Sequence, residues 1–347
     1  MTSESSFEEF INYIFDSRVY NYPSRRYLRD ADNPLEVYDD DEFRKRYRLN
    51  KDSVVHILLP LLTNNINEND RGLPLTPILR VLIALRFYAT GNFQIVCGDL
   101  HKISQSVVSK TVANISKRLA LKSRQFIKFP ALNERVETKR KFYRIAGFPG
   151  VIGCIDCTHI PIKNPSRARG EIFRNRKGWF SINVQIICGP QMEIYDIVVR
   201  WPGSVHDSRI FNNSRCCLRF EEGDLVGILV GDSGYAQTGF MYTPVLNPQT
   251  DPEHRYNRAH LLTRNIIERV NGVLKRRFAC LCRKLQNSTP NTCNIIVSCA
   301  VLHNICLMTN EPELNPEIEL ENVPVPNTQD SSRGSIIRSA FISRHFS

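Results

Sequence analysis

The chain has 347 residues, enough for an α/β core plus one smaller domain, and its 42% hydrophobic and 23% charged content excludes wholesale disorder. No apolar run approaches the ~18–20 residues that span a bilayer, and the opening MTSESSFEEF lacks the basic and apolar stretches of a secretory signal, so an intracellular protein is expected. A net charge of +11 favours a polyanionic partner through counterion release, and 11 irregularly spaced cysteines predict free thiols rather than a disulfide framework.

Residues 1–70 are expected to form a helical lead-in, acidic at Asp39, Asp40, Asp41 and Glu42 and apolar from Val54 to Leu62. Thr76 and Pro77 supply an N-cap and a first-turn signal. Ile78, Leu82 and Leu85 then recur at helical spacing through Tyr88, and Thr90-Gly91-Asn92 closes that helix. A short helix from about Phe93 to Leu100 follows, then a break from His101 to Ser104, then a third helix from Gln105. Its buried face is marked by Val108, Val112, Ile115 and Leu119, which leaves Gln105, Ser106, Ser109 and Lys110 facing out. This is the layout of a helix-turn-helix, whose second helix offers polar side chains to bases and phosphates. A plain three-helix bundle fits the pattern equally well, and the exposed Ser, Gln and Lys favour DNA. The basic segment from Lys117 to Arg144 reads either as a solvated helix face or as a phosphate-contacting linker. Residues 71–145 are therefore assigned to an all-α, DNA-binding region.

From Val151 the pattern becomes strand-like. Strands are expected from Val151 to Asp156, Ser181 to Cys188, Glu193 to Trp201 and Val226 to Asp232. Helices from about Leu261 to Phe278 and Thr292 to Met308 complete an α/β layered domain over residues 146–310. Residues 311–347, rich in Pro, Asn and acids, are expected to be a flexible tail.

Three acids stand out by position. Asp156 and Asp232 each end an apolar run, where an acid without a partner would be costly, and Glu268 lies on the polar side of a helix with Arg264, Asn271 and Lys275. Singly, each acid is more simply a cap or turn former. If the two strands are neighbours, both aspartates reach one sheet edge, where α/β sheets commonly keep their sites. Hard oxygen donors of this kind suit Mg²⁺ or Mn²⁺, and two such ions roughly 3.5–4 Å apart can drive in-line phosphodiester attack. Asp207, in the loop Pro202-Gly203-Ser204-Val205-His206-Asp207, is a fourth candidate for the metal site. Arg174, Arg176 and Lys177, beside Trp179 and Phe180, form a basic and aromatic patch that reads as packing at a strand entrance or as phosphate contact, and Lys275 is placed to reach phosphate. Cys154 and Cys157 have zinc-like spacing, but no convincing second pair accompanies them.

The strings GCIDCTHI (from Gly153), NRKGWFSINVQ (from Asn175), WPGSVHDSRIF (from Trp201), GDSGY (from Gly231), RNIIERVNGVLKRRF (from Arg264) and VLHN (from Val301) resemble the PIF/Harbinger superfamily of DDE transposases, in its host-domesticated, nuclease-named branch. The resemblance runs from about Leu79 to Leu307 and holds six motifs in the family's order. It implies an RNase H-like DDE catalytic domain and a nuclease dependent on a divalent cation, Mg²⁺ or Mn²⁺. Its acidic set maps onto Asp156, Asp207, Asp232 and Glu268, with Asp156, Asp232 and Glu268 as the catalytic core. A Myb/SANT-like DNA-binding partner is implied as well, a homo-oligomer is left open, and the nucleus, with the cytoplasm second, is the expected location. One departure is Cys157, which stands where many members carry Gly in an Asp-Gly-Thr-His motif. A catalytically silent, DNA-binding or complex-forming scaffold is the alternative reading, and a nuclease acting on RNA is a third.

Overall fold

The N-terminal helices carry their own start and stop signals. Asn33 caps α1 (Pro34–Val37), and Asp39 caps α2 (Asp40–Tyr47), which places acids in its first turn and bases in its last, as the helix dipole favours. A π-helical stretch, Ser53–Leu58, leads into α3 (Leu59–Thr63). Thr76 caps α4 (Pro77–Thr90), and Gly91, in the left-handed region at φ 60°, ends it. Then come α5 (Gln94–Leu100) and α6 (Gln105–Leu121), the latter capped by Ser104 and burying Val108, Val112, Ile115 and Leu119 as its spacing predicts. In the computed structural model, residues 33–63, 75–100, 103–165, 170–312 and 332–347 are described. Parts of the expected lead-in, the break after α5 and much of the tail therefore lie outside the described residues.

Helices α7 (Ser123–Phe126) and α8 (Arg135–Ala146) lead to the sheet, with Gly147 at φ 71° closing α8. The strands are β1 (Val151–Pro161), β2 (Ser181–Cys188), β3 (Ile194–Pro202), β4 (Ile228–Val230) and β5 (Met241–Tyr242), in the order β3-β2-β1-β4-β5. The pairs β1–β2 and β2–β3 are antiparallel, whereas β4 pairs in parallel with β1, and β5 with β4. Every residue of β2 is buried, as befits a strand covered on both faces. Between β3 and β4 lie α9 (Asp207–Asn212) and α10 (Arg215–Glu221), whose Phe211 and Phe220 share a cluster with Ile155, Ile187 and Leu229 on one sheet face. On the other face α11 (Asp251–Arg277) and α12 (Thr289–Met308) pack Ile267, Val270 and Ile296 into a cluster with Cys154, Val184, Ile186 and Val230. Neighbours Ile186 and Ile187 fall in different clusters, which is the strand alternation at work.

Four expectations are corrected. Strand β1 continues past Asp156 to Pro161, because its antiparallel pairing with β2 extends five residues beyond the acid while β4 stops early. Helix α11 starts ten residues before the expected Leu261. A Thr250–Glu253 capping box opens it, and only Tyr256, Ala259 and His260 of its first ten residues are buried, so its apolar period is weak there. Helix α12 is long and apolar enough to cross a bilayer by length and composition, against the expectation that no segment is. It lies in the protein's core, where its Ser298, His303 and Asn304 side chains bond to the backbone at Ser116, Met192 and Ile194. In the supposed tail, α13 (Ser332–His345) is helical and docks. Its Phe341 and the following Phe346 stack against Phe148 and Tyr256, and Arg255 donates to the Phe346 carbonyl at 2.9 and 2.6 Å.

Candidate active site

Parallel register brings the two strand aspartates together. Cys154 pairs with Val230, so Asp156 in β1 and Asp232 just past β4, each two residues further on, stand side by side where β4 ends. Asp232 is only 8% exposed, and its Oδ1 accepts the Gly234 N–H at 2.9 Å. Asp156 is half-buried, and its Oδ2 accepts from Asn271 Nδ2 at 3.0 Å. Burial, then the Asp232 charge, push the Asp156 carboxyl up to about 8, against the pull of Arg264. Burial likewise raises Asp232, with Asp207 adding to the effect and Arg264 opposing it.

Helix α11 packs over β1 and brings its polar side to this edge. Asn271 lies three residues after Glu268, on the same helix face. Glu268 is ion-paired with Arg264, one turn earlier. Arg264 therefore turns inward among the acids. Lys275, half-buried and also on this face, adds its charge near His159.

Asp207 arrives from the opposite sheet face. It opens α9, and its Oδ1 accepts from Asn183 Nδ2 at 2.9 Å. Beside it the Cys157 thiol lies 3.3 Å from the Tyr235 hydroxyl. A polar cavity of about 70 Å³ borders Asp207 and is lined by His159, Arg176, Asn183, His206 and Gly234 among others. Arg176 Nη2 donates to the His206 ring, 2.6 Å from Nδ1. Burial holds the His159 pKa below its usual value, and its Nδ1 lies 3.0 Å from Ser181 Oγ.

The predicted site residues thus fall into three groups. Asp156, Asp207 and Asp232 share one electrostatic neighbourhood, and Glu268 reaches it through its effect on Asp232. Among the described residues no three such side chains converge closely enough to ligate one ion as oriented. The donor chemistry nevertheless fits a hard divalent cation: four carboxylates, with the Asn183 and Asn271 side-chain oxygens buried and unpartnered alongside. In the basic patch, Arg176 and Lys177 are exposed, whereas Arg174 is held by Glu171, by the Gly178 carbonyl and over the Phe180 ring. Far from the acids in sequence, Gln105, Ser106 and Lys110 are exposed on the first turns of α6, and Ser109 is half-buried. Sequence reasoning missed Asn183, one of three buried polar residues, with Ser181 and Gln185, at alternate positions of β2.

Residues 155–304 match the DDE superfamily endonuclease family, which gives the class. Over 285 residues, 78% of this chain and 81% of the relative, the chain is 36% identical to "Putative nuclease HARBI1" of Homo sapiens. The Rattus norvegicus protein of the same name is 38% identical over 73% of this chain and 74% of its own. "Protein ALP1-like" of Arabidopsis thaliana is 26% identical over 72% of this chain and 65% of that protein. No solved structure matches the chain. The chain belongs to the Harbinger transposase-derived family of DDE endonuclease-type proteins.

Proposed function

We propose that the chain is a divalent-metal-dependent DNA nuclease in which Asp156, Asp232 and Glu268 form the catalytic core and Asp207 is a fourth ligand. The observation that carries this reading is the pair of aspartates, one in β1 and one just past its parallel neighbour β4, both pushed toward the neutral form by burial and by like charge. A divalent cation relieves that penalty and leaves both groups ionised. The strand order, with helices on both faces, supports the RNase H-like assignment for residues 146–310.

Bound Mg²⁺ or Mn²⁺ would supply Lewis acidity to an attacking water or 3′ hydroxyl and to the leaving oxygen. Asp156, inside β1, and Asp232, just past β4, would hold that cation, and Glu268 would join them on rotating away from Arg264. Arg264, released from Glu268, remains beside the site as a fixed positive charge for the scissile phosphate. Arg176, His206 and Lys275 are assigned to flanking phosphates, with Arg174 and Lys177 of the same basic patch. Exposed Gln105, Ser106 and Lys110 on α6, with Ser109 beside them, are assigned to a helix-turn-helix over residues 71–145 that docks the duplex. A Myb/SANT-like partner for target choice and a nuclear location complete the proposal.

The Glu268–Arg264 pair favours the second reading, a silent DNA-binding scaffold, because it holds one acid away from the others. Incubating the chain with supercoiled plasmid and Mg²⁺ or Mn²⁺ separates the two. Metal-dependent nicking should fall roughly 100-fold or more in Asp156→Ala and Glu268→Ala. Nicking no greater than in those variants, with DNA binding intact, would establish the scaffold instead.

A further inference from the structure

Two asparagines act alike on opposite faces of the sheet. Asn183, 1% exposed in the middle of β2, gives its Nδ2 protons to Asp207 Oδ1 and to the Val205 carbonyl, both at 2.9 Å. One amide therefore ties the loop that carries Asp207 to the strand neighbouring β1. On the other face Asn271 gives Nδ2 to Asp156 Oδ2 at 3.0 Å. In both, the side-chain Oδ1 is buried and has no partner among the described residues.

Asn304 shows what a structural asparagine in this protein looks like. Its Oδ1 accepts the Ile194 N–H at 2.8 Å, and its Nδ2 donates to the Phe126 and Ile194 carbonyls. Every group is met, as buried polar groups normally are. Asn183 and Asn271 leave an acceptor unmet, a cost that packing alone does not explain. Rotating either amide by half a turn would set its oxygen against a carboxylate oxygen and lose the bond, so the acids fix which way each amide points. We propose that Asn183 and Asn271 are positioning residues of the carboxylate site: Asn183 aims Asp207, and Asn271 aims Asp156. The inference rests on the metal-site reading above. Each asparagine fixes one carboxylate oxygen and thereby sets where the remaining lone pairs meet a cation.

Mn²⁺ titration of the full chain, followed by the electron paramagnetic resonance of free Mn²⁺, tests this without reading activity. Asn183→Ala should weaken Mn²⁺ binding about 10–100-fold. In an Asp207→Ala background the same change should have almost no further effect, because Asn183 acts through Asp207. Asn271→Ala paired with Asp156→Ala should behave the same way. Asn183→Ser replaces the alanine variant if that one does not fold, and Asn304→Ala should lower thermal stability while leaving Mn²⁺ affinity unchanged. Unaltered Mn²⁺ affinity in Asn183→Ala, or equal losses with and without Asp207, would overturn the inference. Failure of the unaltered chain to bind Mn²⁺ would instead overturn the metal-site reading on which it stands.

Discussion

The carboxylate edge and the first turns of α6 are both polar, yet their surroundings differ. At the edge, Asp156 and Asp232 are withdrawn from solvent, charged against each other and each held by a specific N–H donor. On α6, Gln105, Ser106 and Lys110 stand in solvent, and the Ser106 hydroxyl bonds to that of Ser104 at 3.0 Å. The first region is under electrostatic stress of the kind a bound cation relieves. The second is unstressed, and it acquires meaning only against a phosphate backbone. A site of the first kind should respond strongly to pH and to single substitutions; one of the second kind should respond to salt, and mildly.

The largest expected effect breaks the edge itself. Asp232→Asn removes one charge from the pair, so Asp156 should titrate closer to an ordinary carboxyl while Mn²⁺ binding falls by roughly 100-fold or more. Nuclear magnetic resonance titration of the Asp156 carboxyl, alongside Mn²⁺ binding, reads both. An unmoved Asp156 pKa would mean that the two acids do not share charge.

Next comes pH. The raised Asp156 pKa stabilises the metal-free fold fully below the unfolded value of ~3.9, and that contribution is lost as pH climbs to about 8. Cation binding requires the ionised acid, so Mn²⁺ affinity should rise up to tenfold per pH unit below about 8 and then flatten. Metal-free melting temperatures and Mn²⁺ titrations across that range should move in opposite directions. Affinity that is flat with pH would remove the claim of electrostatic stress.

The smallest effects belong to α6. Lys110→Ala should weaken DNA binding ~3–10-fold and reduce the slope of log affinity against log salt by about 1. Gln105→Ala should weaken it by a similar factor with less change in slope, and neither variant should alter Mn²⁺ affinity. Fluorescence anisotropy at several salt concentrations decides the matter, and DNA affinity equal to that of the unaltered chain would take α6 out of the interface.

Legibility in the sequence followed the same divide between local and distant causes. Helices α4 and α6 and strand β2 could be read because caps and apolar period act within a few residues. Strand β5 is two residues long, and α13 docks chiefly through Phe341, Ile342 and Phe346, too little for a periodic signal. The acids were legible because a carboxylate after an apolar run has a cost that can be reckoned locally. Asn183 was not, because its bond to Asp207 spans 24 positions and depends on where a loop folds back. Arg264 and Glu268 are four apart on one helix, a spacing that permits the observed pair, but the pull of the neighbouring aspartates decides which way the arginine turns.

The most direct test of the account is anomalous diffraction from crystals of the chain soaked in Mn²⁺. A manganese peak is expected between the Asp156 and Asp232 carboxylates, with Glu268 turned from Arg264 toward the ion. Manganese bound elsewhere, or an edge that stays empty with Glu268 still paired to Arg264, would contradict it.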